Sequence, residues 1–399
     1  MYERIGELAR QLQPELVEWR RELHRRPELA WREVFTTDRI VSLLERWGYS
    51  IVQRGFNGTQ SGVVADLAGR GEGGKTVALR ADIDALALTE ETGAPYASET
   101  EGVSHACGHD AHAAMLLGAA KILSECRDGF EGRVRLLFQP AEEGGVPSGA
   151  QSLIAEGALE GVDAIFGMHI QATLPSGVFS YGFGPRMTAS GKWTVTIRGK
   201  GSHGAFPEWS KDPIVAASNF VMNLQALISR ELRPLDAAVV SVGIFKPSSE
   251  TFNSIPDRVE LQGTTRSYRP EVQSHLEEGL RRLAECCAAT HRCEAEFSFR
   301  SGLPALVNDL AVTTVARDAA RALRGDGALL EEAPQMGSED FSYYLEKTPG
   351  SYCFLGCGGE GTPSPYAHHS PKFRIDESVL WMGSAWHAAV ATDLLSEGT

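Results

Sequence analysis

The chain has 399 residues, of which 42% are hydrophobic and 23% charged, and its formal net charge is −14. This composition is typical of a globular protein with a sizeable core, and the length favours two domains over one. An acidic chain has no general attraction for phosphate backbones or anionic lipid, so we expect no nucleic-acid or membrane partner. Its apolar runs are shorter than the roughly 20 residues of a membrane span. Because the seven cysteines form no regular disulfide framework and the N-terminal segment is charged, we expect a cytoplasmic protein.

Predicted helices and short apolar strands alternate through the first half of the chain. In chain order, the periodicity predicts helices over about 3–27 and 36–48, strands over 61–67 and 76–80, a helix over 111–125, a strand over 133–138, a helix over 149–156 and a strand over 164–167. This alternation predicts an α/β sheet that is covered by helices on both faces.

The segment from about 192 to 300 has a different order of elements. Strand patterns cover 193–198, 237–245, 258–267 and 294–300, and helical patterns cover 212–231 and 270–289. The order β-α-β-β-α-β predicts a ferredoxin-like unit. A helix over 310–323 and a strand over 352–355 then resume the first pattern. We therefore predict a discontinuous domain of residues 1–187 and 303–399, interrupted by an inserted domain of residues 188–302.

Side chains that can bind metal ions collect where predicted strands end. They are Asp82 and Asp84, then Cys107, His109, Asp110 and His112 at the start of a helix, then Glu142 and Glu143, then His169, and finally His368 and His369. Ligands of open α/β sheets bind outside the carboxyl ends of the strands. Thiolate, imidazole and carboxylate together suit zinc, manganese, cobalt or nickel better than magnesium or calcium. A single histidine is more often an ordinary core or surface residue, but several at one sheet edge favour a metal site.

The adjacent pair Glu142 and Glu143 follows a predicted strand. One glutamate of such a pair can bind a metal ion while its neighbour takes a proton from a water molecule held there. A solvated acidic turn is the alternative, although Gln-Pro before the pair and Gly-Gly after it indicate a constrained loop. The residues alone favour a di-metal hydrolase.

Seven motifs occur in order along the chain: LRADIDAL, HACGHDAH, FQPAEEGG, GKGSHGAFP, FNSIP, GSEDFS and HHSPKF. Together they resemble the metal-dependent aminoacylase/carboxypeptidase family, in its amidohydrolase branch of hippurate hydrolases, N-acyl-amino-acid amidohydrolases and auxin-conjugate hydrolases. The resemblance extends from RRELHRRPEL to HHSPKF. It implies a catalytic domain with a central mixed sheet flanked by helices and a site for two divalent metal ions. The inserted ferredoxin-like domain is implied to be a lid that forms a homodimer.

The resemblance also implies roles for particular residues of the first domain. The implied metal ligands are Cys107, His109, Glu143, His169 and His369, with Cys107 as the bridging ligand between two ions of zinc, manganese, cobalt or nickel. His368 is the less expected member of its pair. Glu142 is implied to be the general base and then the general acid. Asp84 and Asp110 are implied to orient ligands, with a turn for Asp84 and a helix cap for Asp110 as equal alternatives.

Four further residues are implied to contact the substrate. His203 of GKGSHGAFP is implied to reach the active site of a partner subunit and stabilise an oxyanion; without the resemblance it is a loop histidine. Asn253 is implied to lie near the substrate. Arg266 is implied to bind the substrate carboxylate, with a solvated strand face as the alternative, and Glu339 to line the pocket, with a structural role equally open.

The leading hypothesis is a metal-dependent amidohydrolase that cleaves N-acyl- or N-aroyl-amino acids, which are small molecules. A metallocarboxypeptidase or dipeptidase on the same scaffold is the alternative. A catalytically silent dimer that binds metal or a small ligand is a third hypothesis, which Glu142 argues against because a binding protein needs no general base.

Overall fold

A computed structural model describes residues 1–70, 73–144, 147–358 and 366–396, so Gly145 of the motif FQPAEEGG lies outside the described residues. The contacts divide the chain into two compact units. The first comprises Met1–Gly184, Val307–Ala333 and Tyr343–Thr399, and the second comprises Pro185–Leu306 and Pro334–Ser342. The predicted first domain includes 334–342, whereas the contacts group this segment with the second unit. The catalytic and lid roles of the two units stay predictions.

The α-helices of the described residues are α1 (Tyr2–Arg25), α2 (Val34–Arg46), α3 (His109–Glu125), α4 (Gly149–Ala155), α5 (Pro213–Ala226), α6 (Pro270–Thr290), α7 (Leu310–Arg324), α8 (Ser342–Leu345) and α9 (Leu380–Ser396). The strands are β1 (Ser50–Arg54), β2 (Val63–Ala68), β3 (Thr76–Asp82), β4 (Arg133–Gln139), β5 (Ala164–Pro175), β6 (Phe179–Tyr181), β7 (Gly184–Met187), β8 (Ala189–Arg198), β9 (Ser202–His203), β10 (Ala238–Pro247), β11 (Ser254–Ile255), β12 (Arg258–Ser267), β13 (Glu294–Ser301), β14 (Leu306–Asn308), β15 (Leu329–Glu331) and β16 (Gly350–Gly358).

The first unit is built on a mixed eight-stranded sheet in the order β1-β2-β4-β3-β5-β16-β6-β15. Its centre is parallel, because β3 pairs in parallel with both β4 and β5, and β5 pairs in parallel with β16. Every residue of β3 and β16 is buried, as expected for strands that are covered on both faces. The predicted helix-covered mixed sheet is confirmed.

Helices α1, α3 and α9 pack against one another beside this sheet. Small residues allow the close approach of α3 and α9: a Cβ atom on Gly118 would lie 2.3 Å from Ser384 Oγ, and one on Gly383 would lie 2.1 Å from Met115 Sδ. The packing of α3 fixes the helix that begins at the candidate site.

The second unit contains an antiparallel four-stranded sheet in the order β10-β12-β8-β13. With α5 between β8 and β10, and α6 between β12 and β13, this is the ferredoxin-like arrangement. Trp193, Phe220 and Leu276 are fully buried in its core.

Among the described residues, no helix combines the length and the apolar character that crossing a bilayer requires.

Candidate metal centre

The turn at the start of α3 holds two of the implied ligands. Gly108 lies between Cys107 and His109 and has a positive φ of 89°. A Cβ atom at this position would lie 2.3 Å from Cδ1 of Ile170. Only glycine therefore fits between the two ligands without strain or a clash.

Two groups of potential metal ligands share one thiol. Ligand atoms of Cys107, His109 and His169 lie within 4.8 Å of one another, and so do those of Cys107, Glu143 and His369. The structure thus brings together all five implied ligands, with Cys107 common to both groups. A further group of His109, Glu142 and Glu143 places the implied general base beside them.

The imidazoles of these groups present Nε2 to the cluster. His109 faces Asp84 with Nδ1 at 3.2 Å from Oδ1, while its buried Nε2 has no hydrogen-bond partner among the described residues. Nδ1 of His169 donates to the carbonyl oxygen of Ile170 at 2.5 Å, and its Nε2 lies 3.4 Å from Cys107 Sγ. A buried imidazole nitrogen without a partner, next to a thiol and a carboxylate, fits a divalent metal ion.

Asp84 joins the two halves of the cluster. Its Oδ1 faces His109, and its Oδ2 accepts the backbone N–H of Glu143 at 2.9 Å. This is the contact that an orienting carboxylate requires, and that role stays a prediction.

Asp110 anchors the first turn of α3 to α1. Its Oδ2 accepts from Arg20 Nε at 2.7 Å and lies 2.7 Å from His24 Nδ1. The helix is capped at Gly108 without a side-chain bond, so Asp110 is not its cap. Burial alone would raise the pKa of Asp110, but Arg20 and His24 outweigh burial and lower it.

His368 and His369 have different surroundings although they are adjacent. His369 Nε2 lies 2.9 Å from Glu143 Oε1, and this contact raises the pKa of His369. His368 has both ring nitrogens engaged: Nδ1 donates to the carbonyl oxygen of Cys107 at 3.2 Å, and Nε2 accepts the N–H of Ala172 at 3.1 Å. His368 therefore has no free nitrogen for a metal ion.

Asp82 and His112 belong to the same cluster; the sequence placed them among the side chains that can bind metal ions, but no individual role was predicted for either. Asp82 accepts from Arg80 Nη1 at 2.6 Å and from His112 Nδ1 at 2.5 Å. Burial would raise the pKa of Asp82, but His109, Arg80 and His112 together lower it well below its usual value. The sequence signal was the third histidine of HACGHDAH, one helical turn after His109.

Burial and neighbouring charges shift the pKa values of the titrating groups in the cluster. Burial raises the pKa of the Cys107 thiol well above its usual value. Burial would lower the pKa of His109, but Asp82 and Cys107 outweigh it and raise that pKa. A bound cation reverses the effect on the thiol, because a coordinating thiol is deprotonated.

Cys107 should consequently report metal binding through its reactivity. In a Cys286→Ser background, which removes the exposed cysteine, we expect the metal-loaded protein to protect Cys107 from a thiol reagent. Chelation should expose one additional reactive thiol per chain, because coordination no longer occupies the sulfur. Mass spectrometry of the alkylated peptide measures this, and equal labelling with and without metal would argue against coordination.

Glu33 is a buried carboxyl group that the sequence analysis missed. Its Oε1 accepts the N–H of Ala141 at 2.9 Å, and Ala141 has a positive φ of 54° immediately before the two glutamates. Burial, with a smaller contribution from Asp84, raises the pKa of Glu33 to about 7. Glu33 thus supports the backbone of the loop that holds the two glutamates.

The stability of the metal-free protein should depend on Glu33 and pH. A raised pKa stabilises the folded state below the unfolded value of 4.5, and that contribution is lost as the pH rises through about 7. We expect the free energy of unfolding of Glu33→Gln, relative to that of wild type, to rise by about 3 kcal/mol from pH 4.5 to pH 8.5. Urea unfolding with chelator present measures it. Glu28→Gln is the control, because Glu28 also accepts backbone N–H groups but is only partly buried. If the free energy of unfolding of Glu33→Gln differed from that of wild type by the same amount at every pH, the raised pKa of Glu33 would be contradicted.

The four residues implied to contact the substrate belong to the second unit. His203 is exposed, and its Nδ1 accepts the N–H of Ala205 at 3.1 Å, so the ring proton is on Nε2. Asn253 is beside it, because its carbonyl oxygen accepts the N–H of Gly204 at 2.8 Å. Within the same unit, Nη1 of Arg266 donates to the carbonyl oxygen of Thr265, and buried Glu339 accepts the N–H of Phe341. Their substrate roles stay predictions.

A helix-covered mixed sheet with thiol, imidazole and carboxylate groups clustered beyond its parallel strands is the arrangement of a metallohydrolase. The model of peptidase family M20/M25/M40 matches residues 78–393. The N-acetyl-L-cysteine deacetylase of Bacillus subtilis strain 168 is 42% identical over 369 residues, 92% of this chain and 85% of the relative. The IAA-amino acid hydrolase ILR1-like 2 of Arabidopsis thaliana is 41% identical over 392 residues, 96% of this chain and 87% of the relative.

A solved structure is also similar along its whole length. It is the YXEP protein of Bacillus subtilis, described as a dinuclear metal binding peptidase of the M20 family, with a TM-score of 0.84 and 36% identity. The match covers 97% of this chain and 99% of that one. The chain belongs to peptidase family M20/M25/M40. The predicted resemblance and the predicted class, a metal-dependent amidohydrolase, are confirmed.

Proposed function

We propose that the protein hydrolyses the amide bond of N-acyl- or N-aroyl-amino acids and releases a carboxylic acid and a free amino acid. The observation that carries the proposal is the pair of ligand groups that share Cys107, with Glu142 beside them. Relatives named for deacetylation of N-acetyl-L-cysteine and hydrolysis of IAA-amino acids support this substrate class.

Two divalent ions of zinc, manganese, cobalt or nickel fit the donors. Cys107, His109 and His169 would hold one, and Cys107, Glu143 and His369 the other. When bound, such ions polarise a carbonyl group and increase the acidity of water.

Glu142 is the proposed proton carrier. Its Oε2 lies 4.0 Å from His109 Nε2, at the edge of the cluster, and its side chain is partly exposed. Glu142 takes a proton from the attacking water as the oxygen bonds to the amide carbon. It then delivers that proton to the nitrogen as the carbon–nitrogen bond breaks, so the amine leaves neutral. Asp84 keeps the His109 ring and the Glu143 backbone in place during these steps.

His203 of a partner subunit completes the proposed site in a homodimer. Its Nε2–H is a donor that can stabilise negative charge on the carbonyl oxygen. His203→Ala and Glu142→Ala homodimers should each be nearly inactive. After subunit exchange, we expect activity to return to roughly a quarter of wild type, because half of the dimers are mixed and half of their sites are intact. No recovery, with exchange verified by mass spectrometry, would reject the shared site.

A carboxypeptidase or dipeptidase activity is the second candidate, since the family and the YXEP protein are described as peptidases. Hydrolysis of N-acetyl and N-benzoyl amino acids, compared with dipeptides that have the same C-terminal residue, separates the two. We expect the acylated compounds to have the higher kcat/KM. Preference for dipeptides with a free α-amino group would favour the second candidate, and no turnover of either would favour a binding protein.

A further inference from the structure

Strand β5 continues beyond the end of its partner β3. The register of the two strands ends at Arg80 opposite Gly167, whereas β5 extends to Pro175. On its other side, β5 stays paired with β16, from Ile165 opposite Gly350 to Gln171 opposite Gly356 and onwards. Within the described part of the chain, His169 thus lies on a stretch of β5 that has a neighbouring strand on one side only.

Alternate N–H groups of a strand point to opposite edges. The N–H of Ile165 donates toward the β16 side, to the carbonyl oxygen of Pro349. The even-numbered N–H groups of Ile170 and Ala172 therefore point to the β3 side, beyond the last β3 partner. Unpaired buried N–H groups are costly, so this edge needs other acceptors.

Two histidine side chains supply these acceptors. Nε2 of His112 accepts the N–H of Ile170 at 3.0 Å, and Nε2 of His368 accepts the N–H of Ala172 at 3.1 Å. Their rings also flank the ring of His169, with centroids 4.5 and 5.0 Å from it. One histidine comes from α3 and the other from the loop before α9.

The second nitrogen of each ring fixes the tautomer. Nδ1 of His112 donates to Asp82, and Nδ1 of His368 donates to the carbonyl oxygen of Cys107. Since Nε2 accepts in both cases, each ring is neutral with its proton on Nδ1. A side chain at these positions must accept on one side and donate on the other, which imidazole does.

We propose that His112 and His368 are positioning residues of the metal centre, which take the place of strand β3 along the open edge of β5 and so fix His169. This inference rests on the proposed metal site, but it does not depend on the substrate or on turnover. Residues that orient metal ligands typically change metal affinity by about 10–100-fold when they are replaced.

Two substitutions of His368 distinguish the contributions of its two ring nitrogens. In His368→Gln the amide extends to about the place of Nε2 and can still accept the N–H of Ala172. In His368→Asn the shorter amide can still donate to the carbonyl oxygen of Cys107 but does not reach Ala172. We expect the Asn variant to bind Co²⁺ 10–100-fold more weakly than wild type and the Gln variant to bind within about threefold of it.

Amide exchange of the metal-free variants gives a readout that does not involve metal. We expect the N–H of Ala172 to exchange at least about tenfold faster in His368→Asn than in His368→Gln, because only the former loses its acceptor. His387→Asn is the matched control, since His387 is another buried histidine, on α9, whose Nδ1 has no hydrogen-bond partner in the part of the chain that the structure describes. It should leave both Co²⁺ affinity and Ala172 exchange unchanged.

Equal losses in the Gln and Asn variants, or wild-type affinity and exchange in the Asn variant, would overturn the proposal. If the variants do not fold, ¹⁵N-histidine NMR of the metal-free wild-type protein tests the same point. We expect His112 and His368 to carry the proton on Nδ1, and a proton on Nε2 of either would reject the role. A wild-type protein that binds no Co²⁺ would instead refute the proposed function, while exchange and tautomer still test the positioning role.

Discussion

Glu142→Gln is expected to lower kcat by roughly 10²–10⁴-fold while the metal content stays at the wild-type level. The substitution keeps the size of the side chain and its place at the edge of the cluster, but an amide cannot take a proton from water. Glu142 belongs to neither ligand group that shares Cys107, and its proposed role is proton transfer. Steady-state kinetics with an N-acyl amino acid, together with elemental analysis, measure both quantities.

Glu143→Ala is the matched comparison, because it changes the adjacent carboxylate. Glu143 is a member of the group with Cys107 and His369, so its loss should reduce metal occupancy as well as activity. If Glu142→Gln lost metal and Glu143→Ala kept it, the two roles would be exchanged. If both variants kept activity, the proposed chemistry would be wrong.

Removal of metal ions is expected to reduce activity to the level of the uncatalysed reaction. Protein thiol, imidazole and carboxylate groups alone do not polarise an amide carbonyl strongly, whereas divalent ions do. Dialysis against a chelator followed by manganese, cobalt, zinc or nickel should restore turnover, because the ligand residues remain in the folded chain. Activity and elemental content are measured at each stage.

Magnesium and calcium serve as controls for the restoration. These ions prefer oxygen ligands, so a site that includes a thiol and three imidazoles should not accept them productively. Full activity in protein that elemental analysis shows to be free of metal would contradict the two-metal site. Restoration by calcium as well as by manganese would indicate that Cys107 is not a ligand.

Much of the fold could be predicted because its strands and helices have clear periodicity. The alternation in β12 and β13 and the amphipathic pattern of α6 identified the ferredoxin-like order of the second unit. Helix α9 was missed because it is buried almost all round, so it has no polar face and no 3.6-residue pattern. The short edge strand β1 was missed because none of its five side chains is buried, so its sequence carries little hydrophobic signal.

The extent of β5 is the most instructive difference from the sequence analysis, which ended this strand at 167. The strand continues through His169 to Pro175, because β16 pairs with it along this length. Sequence periodicity reports the burial of side chains and not the partners of backbone groups. The supporting contacts of His112 and His368 were therefore beyond sequence reasoning, as was the contact of Glu33 with the loop of the two glutamates.

Four of the implied ligands lie in the motifs HACGHDAH, FQPAEEGG and HHSPKF, whereas His169 was found at the end of a predicted strand that in the structure continues to Pro175. The choice between His368 and His369 rested on resemblance alone. The structure gives a physical basis for it: His369 has a positive φ of 63°, and the turn directs the two rings to different partners. Only the hydrogen bonds of His368 show why its ring is unavailable.

The order in which the chain is synthesised has a consequence for the candidate site. Most of the second unit is one continuous stretch, Pro185–Leu306, whereas the first unit needs segments from both ends of the chain. His369, β16 and α9 are made after this stretch, yet α9 packs against α1 and α3, and β16 pairs with β5. At roughly 5–20 residues per second on the ribosome, the amino-terminal elements wait tens of seconds for these partners. The metal cluster therefore cannot be complete until the segment with β16, His369 and α9 has been made, and metal ions have no complete site to bind before then.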